Sequence, residues 1–176
     1  AGGWGAVVTG SGDLGTLSDA ATGGTGGAGG NATGLGGIGG SGGTGLAFTD
    51  TSGVTAVIDA AVTGGAGGAE GTGDLSDGQN GAGGAGITGE NLTLTIGTSA
   101  NVTGGLSGDG ATRANAISFT GGTNTLTFND TTSNLTGNIG NNGTELILEQ
   151  PTTVDIANSI TGTGAVTFAG GGTHNL

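Results

Sequence analysis

Short apolar strands recur along the C-terminal part of the chain, with almost no residues between the copies. In segments 116–130, 144–158 and 164–176, a first strand ends at Phe119, Leu148 or Phe168 and a second ends at Phe128, Ile156 or Leu176. The same pair occurs earlier, ending at Phe48 and Ile58 and again at Ile87 and Ile96. A smaller third element follows most pairs, at Val62, Val102, Leu135 and Ile160. Three short strands per repeat, each closed by Gly, Thr or Asn, predict one turn of a parallel β-helix, a β-solenoid.

Apolar and polar side chains alternate within these strands. In the segment 92–96, Leu92, Leu94 and Ile96 share one face and Thr93 and Thr95 share the other, because side chains along a strand alternate with a period of two. Stacked turns would place the first set in a continuous interior and the second on a solvated wall. His174 departs from the pattern, since it falls at the interior position before Leu176, which indicates a frayed or truncated end.

Glycine dominates two segments of the N-terminal half, 23–45 and 64–86. The first keeps a period of three, and with a single proline in the chain it does not meet the requirements of collagen. The pattern favours long loops that leave the column at one corner. Two alternatives stay open: extended polyglycine helices with three residues per turn, packed through contacts that only glycine permits, or additional turns of the column.

The domain prediction is a single solenoid fragment, 1–176, with a glycine-rich cap or loop region at 1–45 and turns at 46–176. Within the first part, Ala6–Gly10 resembles the third element of a preceding turn. Trp4, the only tryptophan, is expected either to plug the end of the column or to pack inside the first turn. The overall class is all-β, because no amphipathic helical period occurs.

Composition agrees with a narrow core and restricts the partners. A globular core is hard to build from a chain with 48 glycines among 176 residues, whereas a solenoid needs few apolar residues per turn. Thirteen acidic residues against one basic residue give a net charge of −12, which disfavours nucleic acids and anionic membranes as partners. Without cysteine there is no disulfide or thiolate metal site, and no apolar run is long enough to insert into a bilayer.

Candidate chemistry is sparse, and the sequence predicts no catalytic residue, no cofactor and no metal site. A Ser-His-Asp arrangement would depend on His174 at the extreme C-terminus, and Arg113 stands alone in a turn. The carboxylate pairs Asp50 with Asp59 and Asp74 with Asp77 lie in turn contexts, where Asp commonly caps its own backbone. A calcium ion at Asp74 and Asp77 is an open alternative, although their spacing matches no calcium-binding repeat. Six Asn-x-Thr triplets are interpreted as turn chemistry; they begin at Asn31, Asn91, Asn101, Asn129, Asn134 and Asn142.

Three segments carry a resemblance to a family: NTLTFND at 124–130, TGNIGNNGTELIL at 136–148 and ITGTGAVTFAGGGTHNL at 160–176. Over about residues 45–176 the chain resembles the passenger domains of bacterial autotransporters, the type V secreted surface proteins, and especially the large rickettsial-type surface antigens. The resemblance implies a right-handed parallel β-helix, export through a C-terminal translocator β-barrel absent from this chain, and a place on the bacterial surface or outer membrane, with possible release. It implies a spacer or adhesin that binds a host surface protein or glycan, or associates with itself.

Two other classes compete with this prediction. An ice-binding solenoid is suggested by the pairs Thr93/Thr95 and Thr125/Thr127, although the pairs at the positions judged equivalent are Thr55/Val57 and Thr153/Asp155. A β-helix polysaccharide hydrolase would need two carboxylates about 6.5–9.5 Å apart.

Overall fold

The computed structural model describes all 176 residues and is a parallel β-helix of six turns with three strands in each. The first three turns comprise β1 (Ala6–Val8), β2 (Gly12–Leu17), β3 (Ala21–Thr22); β4 (Leu46–Phe48), β5 (Val54–Ile58), β6 (Ala61–Thr63); and β7 (Ile87–Glu90), β8 (Leu92–Ile96), β9 (Asn101–Thr103). The last three comprise β10 (Ile117–Gly121), β11 (Thr123–Phe128), β12 (Leu135–Thr136); β13 (Ile139–Asn141), β14 (Glu145–Glu149), β15 (Val154–Asp155); and β16 (Ile160–Gly162), β17 (Ala165–Ala169), β18 (His174–Asn175).

Equivalent strands of successive turns pair in parallel. The first sheet runs β1-β4-β7-β10-β13-β16, and the second runs β2-β5-β8-β11-β14-β17. The third sheet contains β3-β6-β9-β12, and β15 pairs with β18. The all-β parallel solenoid predicted from the repeat is therefore confirmed.

The interior is a column of buried aliphatic and aromatic side chains. Leu94 and Leu126 are paired in register and have no exposed surface, whereas Thr93 and Thr125 beside them face outward. Burial of a leucine side chain stabilises a fold by about 1.5–3 kcal/mol, so each turn adds a few such contributions. The predicted buried and outward faces of β8 and β11 are confirmed.

The column alternates large and small residues where turns stack. Phe119 lies in register with Gly89 of the turn below it. A Cβ on Gly89 would lie 2.9 Å from the Cβ of Phe48, one further turn down. Glycine at position 89 therefore leaves room for the phenylalanines of the turns on either side of it.

The repeat predicted from the sequence is out of phase in the last two turns. Leu148 and Phe168 belong to the second sheet, where Leu148 pairs with Leu126 and Phe168 pairs with Leu148. The first sheet continues instead through Ile139 and Ile160. These two first strands are only three residues long and follow short corners, so Ile139 is assigned to no strand in the sequence and Ile160 looks like a third element.

The prediction for the N-terminal region is also corrected. Residues 6–22 form a complete first turn, and β1 pairs with the first strand β4 rather than belonging to the third sheet. Trp4 is 59% exposed, so it does not pack inside that turn.

Asparagine shapes two of the corners. Asn91 and Asn134 adopt positive φ angles of 52° and 50°, a conformation that asparagine tolerates better than most residues. The Asn91 side chain donates a hydrogen bond to the Thr51 carbonyl at 2.7 Å and accepts one from the Thr123 backbone at 3.2 Å. It thereby links three successive turns, which bears out the interpretation of this triplet as turn chemistry.

Candidate binding surfaces

Three glycine hairpins project from one corner of the column, each between a third strand and the next first strand. The first glycine hairpin comprises residues 23–45, the second 64–86 and the third, which is shorter, 104–115. They account for the change in repeat length, because Ala6 pairs with Leu46, 40 residues on, whereas Ile139 pairs with Ile160, only 21 residues on.

The two arms of each hairpin are joined by backbone hydrogen bonds at every third residue. In the first hairpin the N–H groups of Gly37, Gly40 and Gly43 donate to the carbonyls of Gly30, Gly27 and Gly24 at 2.7–2.8 Å. The second repeats this pattern, with Gly78, Gly81 and Gly84 donating to Gly71, Gly68 and Gly65 at 2.8–2.9 Å.

Neighbouring hairpins are bonded to each other in the same way. Gly26 and Gly29 donate to Ala66 and Ala69 at 2.8 Å, so the outgoing arms stack in parallel. Gly65, Gly68 and Gly71 of the second hairpin donate back to Gly43, Gly40 and Gly37 of the first at 2.7–2.8 Å. The third hairpin continues the array, because Gly105 and Gly108 donate to Gly84 and Gly81 at 2.8–2.9 Å.

A bonding period of three, with partners on neighbouring arms, is the pattern of extended helices with three residues per turn. The glycine segments are therefore packed polyglycine helices, the alternative that the period of three left open. The segments leave the column at one corner, as predicted, but they are not loops with a solvated backbone, because the backbone groups that a loop would offer to water are paired here with other arms.

Close approach of the arms explains the glycine content. A Cβ placed on Gly26 would lie 2.5 Å from the carbonyl carbon of Gly40, and one on Gly68 would lie 2.5 Å from that of Gly27. Any side chain at these positions would push neighbouring arms apart.

The third position of each triplet carries the side chains, which are exposed or half-buried. On the outgoing arms these residues are Thr25, Ala28, Asn31, Ala66, Ala69 and Thr72, and on the returning arms they are Ile38, Ser41, Thr44, Gln79, Ala82 and Ala85. Most of these side chains are small and all lie on evenly spaced arms, so they form two flat faces.

Glycine is replaced at two positions of the second hairpin where no arm of the third hairpin lies beside it. Glu70 and Asn80 occupy triplet positions that are glycine elsewhere in the second hairpin, but they lie beyond the short arms of the third hairpin. The Glu70 N–H donates to the Asn80 Oδ1 at 3.0 Å, so at this position the Asn80 side chain joins the two arms of the second hairpin.

The outer wall of the third sheet carries a file of threonines. Thr22, Thr63, Thr103 and Thr136 are paired in register through β3, β6, β9 and β12. The signal in the sequence is the Thr-Gly pair that ends each short third element. This pair predicts the corner after the strand, and its repetition also indicates the row of exposed threonines.

The second sheet carries a shorter threonine file. Thr55, Thr93 and Thr125 align, followed by Ile147 and Thr167. The neighbouring file contains Val57, Thr95 and Thr127. In the fifth turn this file continues at Glu149, because Leu148 pairs with Leu126 and Glu149 is therefore opposite Thr127. The residues predicted to be equivalent, Thr153 and Asp155, lie in or beside β15 instead.

The candidate catalytic carboxylates act as turn caps. The Oδ1 atoms of Asp50, Asp59 and Asp77 accept hydrogen bonds from the backbone N–H groups of Ser52, Ser99 and Gly73 at 2.7, 2.9 and 3.1 Å. For Asp50 and Asp77 the bonded N–H lies two or four residues away, which is the role favoured from the sequence, whereas Asp59 bonds to the next turn, 40 residues on. Asp74 is the one member of the two pairs with no such bond.

The two candidate basic residues are also engaged in structural contacts. The Arg113 Nη1 donates to the Gly104 carbonyl at 2.6 Å and so closes the third hairpin. His174 lies in register with the interior residue Val154 and places its Nε2 3.0 Å from the Leu148 carbonyl. Its ring meets the Phe168 ring edge-on, with centroids 4.9 Å apart.

One carboxylate in the third hairpin has a perturbed acidity. A hydrogen bond from the Ser107 hydroxyl, and a second one from the Ala111 N–H at 3.0 Å, lower the pKa of Asp109 from its ordinary value of 3.8. The charged form of Asp109 therefore holds the turn of this hairpin together.

Cavities occur only where the column is open. One of about 380 Å³ lies between the first two turns, lined by Val8, Leu14 and Phe48 among others, and one of about 360 Å³ lies beside Ile160 and Leu176. No group of three or more His, Cys, Asp or Glu side chains is placed to hold a metal ion. The chain contains no helix with the length and apolar character needed to cross a membrane.

No family model, curated protein or solved structure matches this chain.

Proposed function

We propose that this chain is a segment of a surface-displayed passenger of the autotransporter type, which acts as a rigid spacer and binds other molecules through the flat faces of its glycine hairpins. The observation that carries this proposal is the hydrogen-bonded array of hairpins. Such an array holds its side chains on a fixed backbone, so little conformational entropy is lost when a partner binds.

The electrostatics support a partner that is not anionic. Acidic side chains outnumber basic ones by thirteen to one, and the one guanidinium group is bonded to a backbone carbonyl. A surface with this charge attracts cationic partners and repels phosphate backbones.

The proposal is tested by binding of the purified chain to cells. Because the chain has no cysteine, a single one introduced at Thr163, in the corner before β17, gives a unique site for a fluorescent label. We expect saturable binding to cultured epithelial cells, measured by flow cytometry and displaced by unlabelled chain. The absence of saturable binding to cells and to an array of glycans would refute the binding role.

Localisation is tested separately. Antibodies raised against the purified chain should stain intact cells of the bacterium that encodes it, and external protease should remove the signal. Staining that requires permeabilised cells would refute surface display.

The threonine file of the third sheet favours a second candidate, binding to ice. Four threonines in register across four turns, about 4.8 Å apart, form a regular array of methyl and hydroxyl groups. Measurable thermal hysteresis, abolished by Thr63→Asp with Thr103→Asp, would support this candidate over the adhesin role, and its absence would eliminate it.

A further inference from the structure

Exposed apolar side chains of large size fall into groups, of which one lies far from the column. Those at the two ends lie in or beside turns that have a neighbour on one side only: Trp4, Val7 and Leu14 at one end, and Val166, Phe168 and Leu176 at the other. Leu106 is 36% exposed in the third hairpin. Leu35, Ile38 and Leu75, here called the tip patch, are 69%, 70% and 81% exposed at the far ends of the first two hairpins.

The backbone holds the tip patch together. The Leu75 N–H donates to the Gly34 carbonyl at 3.0 Å, and the Gly36 N–H donates to the Ser76 carbonyl at 2.8 Å. Leu35 is bridged in parallel to Ser76, so the two tips lie one strand spacing apart, about 4.8 Å. The three side chains are thus presented by neighbouring segments of fixed geometry.

The fold does not require these side chains. The hydrogen bonds that join the tips come from the backbone and from the Asn31 Oδ1, which accepts from the Thr72 N–H at 2.9 Å. Turn positions ordinarily favour Gly, Asn, Asp or Ser. Apolar side chains grouped on an otherwise polar and glycine-rich surface are typical of an interaction site.

The charges around the tip patch restrict what can cover it. Glu70, Asp74 and Asp77 lie in the same end of the second hairpin and are exposed, and no basic residue accompanies them. Two copies meeting through this surface would bring like charges together, and an anionic membrane would be repelled. An apolar centre surrounded by carboxylates is complementary to an apolar surface surrounded by basic side chains.

We propose that the tip patch is the docking site for a protein partner that presents an apolar groove rimmed by lysine or arginine. This inference rests on the proposed binding function and extends the binding surface from the flat faces to the ends of the hairpins. Leu35 and Leu75 enter the groove, while Glu70 and Asp74 face the basic rim.

The probe for this site is a library of random twelve-residue peptides displayed on phage, selected on the immobilised chain. We expect the selected peptides to combine aliphatic or aromatic residues with lysine or arginine. In calorimetric titrations of the synthetic peptides, Leu35→Ser with Leu75→Ser should weaken binding at least tenfold. Glu70→Gln with Asp74→Asn should weaken it several-fold and reduce its dependence on salt.

Matched controls separate this site from the rest of the molecule. Val166→Ser with Leu176→Ser, the same kind of change at exposed apolar positions at the C-terminal end of the column, should leave peptide affinity unchanged. A melting temperature equal to that of the wild type shows that Leu35→Ser with Leu75→Ser retains the fold, and Ile38→Ser provides an independent variant.

Four results would overturn the inference. The first is selected peptides that lack basic residues, and the second is peptides that bind Leu35→Ser with Leu75→Ser as well as the wild type. The third is binding of the wild-type chain to vesicles of phosphatidylcholine and phosphatidylglycerol that is lost in this variant. The fourth is a dimer of the wild-type chain in sedimentation experiments that dissociates in this variant. If the variant binds cells as the wild type does, the tip patch is refuted while the binding function stands; if the wild type binds no cells, the function itself fails.

Discussion

A pair of adjacent substitutions tests whether the glycine hairpins are packed helices. Gly26 and Gly27 lie side by side in the outgoing arm of the first hairpin, and neither has a positive φ angle. A Cβ on Gly26 would lie 2.5 Å from the Gly40 carbonyl carbon, whereas one on Gly27 would have no heavy atom within 4 Å. Gly26→Ala and Gly27→Ala therefore make the same chemical change in opposite environments.

The cost of Gly26→Ala follows from the movement it forces. The Cβ would overlap the Gly40 carbonyl oxygen, which is its nearest neighbour, and ordinary contact needs at least 3.4 Å, so the arms must separate by more than 1 Å. That movement takes the bond from the Gly40 N–H to the Gly27 carbonyl, now 2.7 Å, and the bond from the Gly26 N–H to Ala66, now 2.8 Å, beyond hydrogen-bonding distance. At about 1 kcal/mol for each bond, and with strain passed to the next triplet, we expect a loss of about 2–3 kcal/mol.

Gly27→Ala should be neutral or stabilise the fold by up to about 1 kcal/mol, because alanine restricts the unfolded chain. Both variants are measured by urea unfolding followed by circular dichroism. Equal effects of the two substitutions would refute the packed-helix geometry, since mobile loops would not distinguish adjacent glycines. Gly29→Ala and Gly30→Ala provide a second pair with the same contrast.

Three further predictions concern the column, the array and acidity. Leu126→Asp should abolish cooperative unfolding, because it places a carboxylate without a partner at a fully buried position. Thr125→Asp on the outer wall should lower the free energy of unfolding by less than about 1 kcal/mol. Equal losses of stability in the two variants would show that the assignment of buried and outward faces is wrong. Deletion of residues 65–84 removes bonds to both neighbouring hairpins and should lower the melting temperature or split the transition, and an unchanged melt would contradict the array. Asp109 has a lowered pKa in the folded state, so its stabilising contribution is present above pH 3.8 and is lost as pH falls through the lowered value. Asp109→Asn should therefore reduce the fall in melting temperature between pH 5 and pH 2, and identical pH profiles would argue against this coupling.

The sequence predicts the column better than it predicts the array. Alternation in segments such as 92–96 determines which residues are buried, because a strand has only two faces and one of them must be shielded from water. The phase of the last two turns was wrong because Ile139 and Ile160 begin strands of three residues, too short to show alternation. Leu148 then appeared to be the counterpart of Phe119, although register pairs it with Leu126.

The glycine arms were harder to predict for a physical reason. Their stability comes from backbone bonds between segments about 40 residues apart, such as Gly26 with Ala66, and such bonds leave no apolar pattern in either segment. The period of three permits a packed helix, but the same residues would also suit a flexible loop. The tip patch was not recognised because Leu35 and Leu75 are isolated in sequence and meet only when the two hairpins stack.

The triplet organisation of the arms separates what the molecule presents from what holds it together. In the second hairpin, which packs between the other two, the glycines of each triplet are held in place by the neighbouring backbone, and the third position accepts a range of side chains, from Ala66 to Gln79, without moving that backbone. A lineage under pressure to change its ligand can therefore vary every third residue at little risk to folding, whereas drift at the intervening glycines is removed by selection. Alignments of such proteins should show invariant pairs of glycine separated by single hypervariable positions, a pattern in which variability marks the working surface.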